Sequence, residues 1–306
     1  MTPPALILNN RNKGKYVYRS VAGALSQTIP CEIHIADFAS TDNSRSEIER
    51  AIAEAPRGAE HDVIYSKSAA PTEGTMLAVN KALWWMVNQT ECEWIFQCSS
   101  DDYSLPRRIA VCMQALAGLK AKGMDTAGLA TTMKFEDPEH TDQHAVSGFP
   151  QETGYVTAGI GIHKMAYGST IWGYRRDFLL KVGMEVPCTL DVYLGYLASL
   201  DRGYYVICDP QHVHFMAHDL ENIGFQGKMR AAELAGDQAT IHRINELNRF
   251  QLFELYFHTK LAQQKHYPLA GATDQTALMD MIVAQACGWY QERAQLHALK
   301  LTPSIL

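Results

Sequence analysis

LILNNRNKGKYVYRSVAGALSQTIPCEIHIADFASTDNS, residues 6–44, holds the alternation on which the fold turns. An apolar run, Ala5–Leu8, ends in Asn9 and Asn10. After Gly14, residues Tyr16, Val17, Val21, Ala24 and Leu25 recur at helical spacing, and Glu32–Ala36 (EIHIA) then reads as a strand closed by Asp37. Outward from there the alternation continues. Ser44–Ala53 is polar and helix-compatible, Asp62–Tyr65 a strand, and Thr75–Val87 a buried helix carrying Leu83, Trp84 and Trp85. Glu93–Cys98 (EWIFQC) is a fourth strand, ending in Ser99, Ser100, Asp101 and Asp102. Strands alternating with helices at this spacing predict an α/β fold with a doubly wound, mostly parallel sheet.

Pro106 stands where a first helical turn would begin, and Ile109, Cys112, Leu116 and Leu119 continue it as an amphipathic helix. Past Gly123 the pattern loosens. Thr126–Phe135 and Gly168–Tyr174 read as strands, a helix follows Thr189 with Leu190, Tyr193, Leu194, Leu197 and Leu200 on one face, and Tyr204–Cys208 is a short strand. From about Lys228 the chain reads as helical to its end, with Ile241, Ile244, Leu247, Phe250 and Leu255 as its stripe, and a seam is expected near residue 225.

The length of 306 residues suits one large α/β domain or two modest ones, and 47% hydrophobic with 20% charged residues excludes a disordered chain. Twenty-seven basic against 33 acidic residues leave a net charge of −6 with no basic cluster, which argues against nucleic-acid binding and a polybasic membrane anchor. A negative chain that binds a negative nucleotide needs a metal ion or a few local cations. No apolar run reaches the roughly 18 residues of a transmembrane helix, and the opening MTPPALILNN lacks the features of a secretory signal. The seven cysteines (31, 92, 98, 112, 188, 208 and 287) form no C-x-x-C pair and read as reduced thiols. The expected location is cytoplasmic, peripheral at the inner membrane face at most.

In an open parallel sheet, ligands bind outside the carboxyl ends of the strands. Three predicted strands end there in polar residues: Asn9 and Asn10, then Asp37, then Asp101 and Asp102. Acidic residues alone repel a phosphate. A divalent cation such as Mg²⁺ or Mn²⁺, bound through one or two carboxylates and the substrate's phosphates, reverses that. Adjacent aspartates point differently, so one can ligate metal while the other accepts a ribose hydroxyl. An ordinary acidic turn is the alternative for a bare DD pair; its position after a buried strand and before Pro106 favours function.

The 6–44 stretch resembles the opening of glycosyltransferase family 2, the GT-A-type nucleotide-sugar-dependent transferases. Ser20, Gln27, Thr28, Glu32, Asp37, Ser40, Thr41, Asp42 and Ser44 match that opening, WIFQCSSDDYSLPRRI resembles the family's metal motif, and Asn80 matches an Asn of the preceding helix. The resemblance covers roughly residues 5 to 225. It implies a nucleotide-sugar-binding half over 1–105, an acceptor-binding and catalytic half over 106–225 and a helical C-terminal extension over 226–306. It further implies that Asp102 ligates the metal, Asp101 contacts the donor's ribose or sugar, Asp37 takes a hydrogen bond from the base, and Asn9 and Arg11 line the donor site. Phe38 stands where a second acidic or amide residue often follows, and Arg11 where an aromatic commonly stacks on the base; its guanidinium can stack instead. A UDP-sugar is the donor expected first by family frequency, with GDP and dTDP left open.

The family places its catalytic carboxylate at the start of a helix in the second half. Thr189-Leu190-Asp191-Val192-Tyr193-Leu194 is similar, with Asp191 as the base of an inverting transfer, and Asp177 is the rival. His218 matches a His near the last core strand and is a weak third metal ligand or phosphate contact; His212 and His214 read more simply as a strand edge. Trp172 and Tyr174 could stack on an acceptor sugar or sit in the core. Gly159-Ile160-Gly161 lacks the frame of a dinucleotide fingerprint. The expected function is a metal-dependent inverting glycosyltransferase acting on a saccharide or glycolipid hydroxyl. A sugar nucleotidyltransferase and a non-catalytic nucleotide-sugar-binding scaffold are the alternatives. The C-terminal helices lack the Lys/Arg face of a membrane-lying helix, which favours self-packing or a homodimer.

Overall fold

A computed structural model of the chain describes residues 2–68, 76–131, 134–135, 153–156, 172–188, 190–208, 213–215 and 232–268. At its centre lies strand β1 (Ala5–Asn10), paired in parallel with β2 (Glu32–Phe38) on one side and β4 (Trp94–Ser99) on the other. The side chains of β1 alternate between two apolar layers, Leu6 and Leu8 entering one and Ala5 and Ile7 the other. Both faces of the sheet are therefore covered, as a near-continuous apolar strand requires. Strand β3 (Asp62–Ser68) lies outside β2. Beyond β4 come β9 (Trp172–Arg175), β6 (Gly128–Thr131), β10 (Tyr204–Ile207) and β8 (Gly154–Val156), giving the order β3-β2-β1-β4-β9-β6-β10-β8. Strands β9 and β8 run antiparallel to their neighbours, so the sheet is mixed.

Helices α1 (Gly14–Leu25), α2 (Ser44–Glu54) and α4 (Arg108–Ala121) supply the first layer. The second comes from α3 (Met76–Val87), α5 (Arg176–Val182), α6 (Leu190–Asp201) and α7 (Gln238–His266). Helix α6 is expected from its sequence to bury one face. It is instead buried almost all round from Leu190 to Ala198, because the sheet covers one side and α7 the other. Tyr196 Oη donates to Gln263 Oε1 at 3.2 Å and Tyr267 Oη to Asp201 Oδ1 at 3.1 Å, so α7 docks on its own chain. No helix among the described residues is long and apolar enough to cross a membrane.

A second, three-stranded sheet joins β5 (Asp102–Ser104), β11 (Val213–Phe215) and β7 (Lys134–Phe135). Its strands are too short to show a period in the sequence. The expected strand over Thr126–Phe135 accordingly divides, β6 entering the large sheet and β7 the small one. Asp102, read as the polar end of the fourth strand, instead opens β5 and pairs with Phe215.

Candidate active site

Strand β1 lies between β2 and β4 while the chain returns from the β3 edge, so the sheet's topological switch point falls at the carboxyl ends of β1 and β4. Two loops wall it on the β1–β2 side. Asn12 and Ala39 both adopt left-handed backbone conformations, each at φ 51°, which turn the chain sharply after each strand. Asn12 Oδ1 accepts from the Thr41 amide at 2.7 Å, and Ser40 Oγ accepts from the Asn12 amide at 2.9 Å. Asp42 accepts from the Gly14 amide at 2.9 Å, placing a carboxylate at the positive end of α1. A side chain at Gly14 would overlap Asn43, which explains a glycine at that helix start.

Asp37 is fully enclosed within this wall. Its Oδ1 accepts from Asn10 Nδ2 at 2.8 Å and from Ser40 Oγ; its Oδ2 accepts from Arg45 Nε at 2.8 Å and the Ser40 amide at 3.3 Å. Burial pushes the Asp37 carboxyl up, but the bonds from Ser40, Arg45 and Asn10 outweigh it and hold it below the ordinary range. All four acceptor positions of the carboxylate are in use. Arg45 is the one partner at the surface, with a side chain 44% exposed. Arg11 is exposed at the start of the loop that follows β1, and Asn9 lies half-buried, its Oδ1 3.5 Å from Gln97 Nε2.

Across the crevice, Ser20 Oγ donates to the Ser99 carbonyl at 2.6 Å, and Gln27 joins α1 to the start of α4 by donating to the Leu105 carbonyl at 2.9 Å and accepting from the Ile109 amide at 3.0 Å. The acidic turn is thereby held against α1. The two aspartates then part company. Asp101, its side chain 16% exposed, takes a hydrogen bond from Ser99 Oγ and lies with Oδ2 2.7 Å from Lys13 Nζ. Asp102 is only 1% exposed and its charge is felt by the buried Cys98 thiol, which burial itself drives up. Beneath them lies Arg108, completely buried. Its Nη1 donates to the Gln97 carbonyl at 3.0 Å and Ser104 Oγ at 2.9 Å, and its Nη2 to the Trp172 carbonyl at 3.4 Å.

That last contact leads to the opposite wall. Trp172 Nε1 donates to Asp191 Oδ1 at 3.0 Å, and Asp191 is the one residue of Leu190–Ala198 that is not buried. The approach to α6 is pinned by Asn80, whose Nδ2 donates to the carbonyls of Val186 (2.6 Å) and Cys188 (2.8 Å). Asp177, by contrast, is bound by Arg202 Nη2 at 2.9 Å and Nη1 at 3.0 Å, with Arg175 beside it. Burial raises its carboxyl, yet Arg202 and Arg175 outweigh this and hold it low, so it behaves as one arm of a surface ion-pair cluster. Trp172 and Tyr174 are both fully buried and belong to the core, not to an acceptor platform. His212, His218 and Gly159–Gly161 lie outside the described residues, as does the side chain of His214. No cluster of three or more His, Cys, Asp or Glu residues suited to a metal occurs among the described residues.

With this geometry in hand, the family's sequence model described as Glycosyl transferase family 2 matches residues 6–183, more than half of the chain. The chain belongs to glycosyl transferase family 2. It is a glycosyltransferase by that membership, and the matched span carries the loops around Asp37, the acidic turn and Trp172. Among solved structures, S. aureus TarS 1–349 superposes with a TM-score of 0.55 at 16% identity, covering 93% of this chain and 81% of that one. The same protein in complex with UDP gives 0.55 at 16% identity over 95% and 92%, and in complex with UDP-GlcNAc 0.53 at 16% over 93% and 81%. At that identity the likeness is one of fold, the GT-A type. No curated protein sequence matches the chain.

The residues that motif reading passed over are Lys13, Arg45 and Trp172, the last as a partner of Asp191; Arg108 lies within the quoted acidic motif, but its buried role was not read from it. Arg45 stands in the first turn of α2, eight residues after Asp37, which was the available signal; Lys13 meets Asp101 across 88 residues, with no local sign of the pairing. Nothing local could link Trp172 to Asp191, which stand 19 residues apart on different elements.

Proposed function

We propose that this glycosyltransferase takes a nucleotide-diphosphate sugar, a UDP-sugar first, and transfers the sugar with inversion to a hydroxyl of a saccharide or glycolipid. One observation carries the reading: at the carboxyl edge of one sheet, Asp101 held by Lys13 and Ser99 stands on the donor side, and Asp191 held by Trp172 on the other. The UDP and UDP-GlcNAc complexes of the similarly folded TarS support the choice of nucleotide. We assign 1–105 to the donor, 106–225 to the acceptor and catalysis, and 226–306 to a helical extension. The setting is cytoplasmic.

On the donor side, Asn9, Arg11 and the 37–44 loop frame the base. Asp37 takes a base N–H in exchange for one of its present partners, and Arg45, being the exposed one, is the partner that gives way. The Asp101–Asp102 pair fits a hard divalent cation, since both supply oxygen donors and Asp101 already holds an ammonium group. Mn²⁺ or Mg²⁺ would be held by Asp102 with Asp101 and His218 beside it, and would supply charge neutralisation for the leaving diphosphate. On the acceptor side, Asp191 takes the hydroxyl proton as that oxygen bonds the anomeric carbon and the bond from that carbon to the diphosphate oxygen breaks.

The test is a thermal-shift panel of UDP-, GDP-, dTDP- and CMP-sugars with and without Mn²⁺, followed by turnover. One nucleotide should stabilise the protein in a metal-dependent way, lost in Asp102→Ala. Asp191→Asn should keep that stabilisation and lose turnover by about 10²–10⁴-fold. Substantial turnover in Asp191→Asn removes it as the base, and a product of retained anomeric configuration, read by NMR, removes the inverting mechanism.

A further inference from the structure

We propose that Trp172 is a positioning residue for Asp191, its indole N–H setting the orientation and basicity of that carboxylate; this rests on the reading of Asp191 as the proton acceptor. An indole nitrogen can only donate, and a buried one must find an acceptor. Trp172 is fully buried, and its donor is aimed at a carboxylate 3.0 Å away rather than at a backbone carbonyl. The ring has little freedom to turn away, with Tyr174 packed at 4.8 Å between centroids.

The backbone behind the ring is fixed too. Trp172 pairs with Ala130 of β6, and its carbonyl accepts from Arg108, which also holds the Gln97 carbonyl and Ser104. One buried guanidinium therefore spans the acidic turn's support and the strand that carries Trp172. Asn80 fixes the chain on the far side of Asp191 through Val186 and Cys188. The ionisable groups facing Asp191 from β9 and β10 are Tyr174 and Tyr204. Burial first, and then the Asp191 charge among smaller causes, pushes both phenols up, so both stay neutral near pH 7. On α5 and α7, Lys181 pairs with Asp201 and Glu254 with His258, while the Glu254 charge also reaches Cys188. Trp172 is thus a fixed donor to the ionised form of Asp191, and removing it must raise the carboxyl's affinity for a proton.

The experiment uses the full chain with UDP-sugar. In ¹⁵N-labelled protein, the Trp172 indole resonance, identified among the five tryptophans by its loss in Trp172→Phe, should shift with pH and cease to do so in Asp191→Asn. Its midpoint should match the acid limb of the kcat profile. In Trp172→Phe that limb should move up by about one pH unit, the equivalent of one charge-assisted hydrogen bond, with the donor KM held within about twofold. If Trp172→Phe no longer binds UDP, benzothienylalanine at position 172, which keeps the shape without the N–H, takes its place with the same expected shift. An indole signal blind to Asp191, or an acid limb that stays put, overturns the proposal. Turnover persisting in Asp191→Asn would instead defeat the base assignment, a failure visible separately because the indole titration does not depend on catalysis.

Discussion

Asn80 offers the cleanest test of how the chain ahead of Asp191 is held. Its amide nitrogen donates to two carbonyls, Val186 at 2.6 Å and Cys188 at 2.8 Å, and the residue is 2% exposed. Replacement by Asp preserves shape but substitutes an acceptor for the donor, so two buried carbonyls lose their partner and face a third oxygen. Each such group costs about 1–3 kcal/mol, and with partial relaxation the pair amounts to about 2–4 kcal/mol. For a chain of this length that lowers Tm by about 4–8 °C. Because Cys188 precedes Asp191 by three residues, the released segment should also lower kcat by about tenfold. UDP affinity should stay unchanged, since both bonds run to the segment ahead of Asp191 and not to the loops around Asp37. Calorimetry, steady-state kinetics and UDP titration of Asn80→Asp and Asn80→Ala read these separately, with Asp the more damaging despite its closer shape. An Asp variant within about 0.5 kcal/mol of the parent would refute the argument, since it would mean that the two carbonyls do not depend on the amide.

Three further outcomes follow from the same geometry. Asp37, held below the ordinary carboxylate range, contributes stability that is fully present above the unfolded value of about 4 and is lost as pH falls through the folded one. Urea midpoints of the parent should therefore drop on acidification below about pH 4, and Asp37→Asn should flatten that part of the curve; parallel curves would contradict the assignment. Gly23→Ala sets a Cβ 2.8 Å from the Ser104 carbonyl oxygen and must push α1 off β5, costing about 1–3 kcal/mol in chemical denaturation. Lys13→Met removes the ammonium beside Asp101 and should weaken UDP binding by about 3–10-fold at low ionic strength, with the gap narrowing in salt. Equal calorimetric affinities at both ionic strengths would show that Lys13 serves only the acidic turn.

Most of residues 1–105 was readable along the chain because the elements there bury both faces of a sheet and announce themselves by period. The strand Glu32–Phe38 ran two residues beyond its expected end, since Asp37 and Phe38 continue the ladder against Lys67 and Ser68 of β3. Residues 106–225 were less legible. The described strands there are two to four residues long, and β8, β9 and β11 pair antiparallel with neighbours distant in sequence, so no local pattern dictates their partners. Among the candidate residues, Asp37, Asp101 and Asp102 could be picked from their places at strand ends, and Asp191 from the family resemblance at a helix start. Their different surroundings could not: Asp102 and Asp101 are neighbours in the chain, yet one is closed into β5 and the other is bridged to Lys13.

Residue order alone was enough for the alternation of strand and helix, for the polar strand ends that mark the crevice, and for the motif that places the chain in its family, because periodicity and turn chemistry are local. The pairing of Trp172 with Asp191, the buried Arg108 beneath the acidic turn and the closed shell around Asp37 arose only on folding. Each depends on β9 being inserted between β4 and β6, or on two loops meeting at the ends of β1 and β2. Such contacts are set by which buried donors and acceptors must satisfy one another once water is excluded, and that requirement spans the whole sheet.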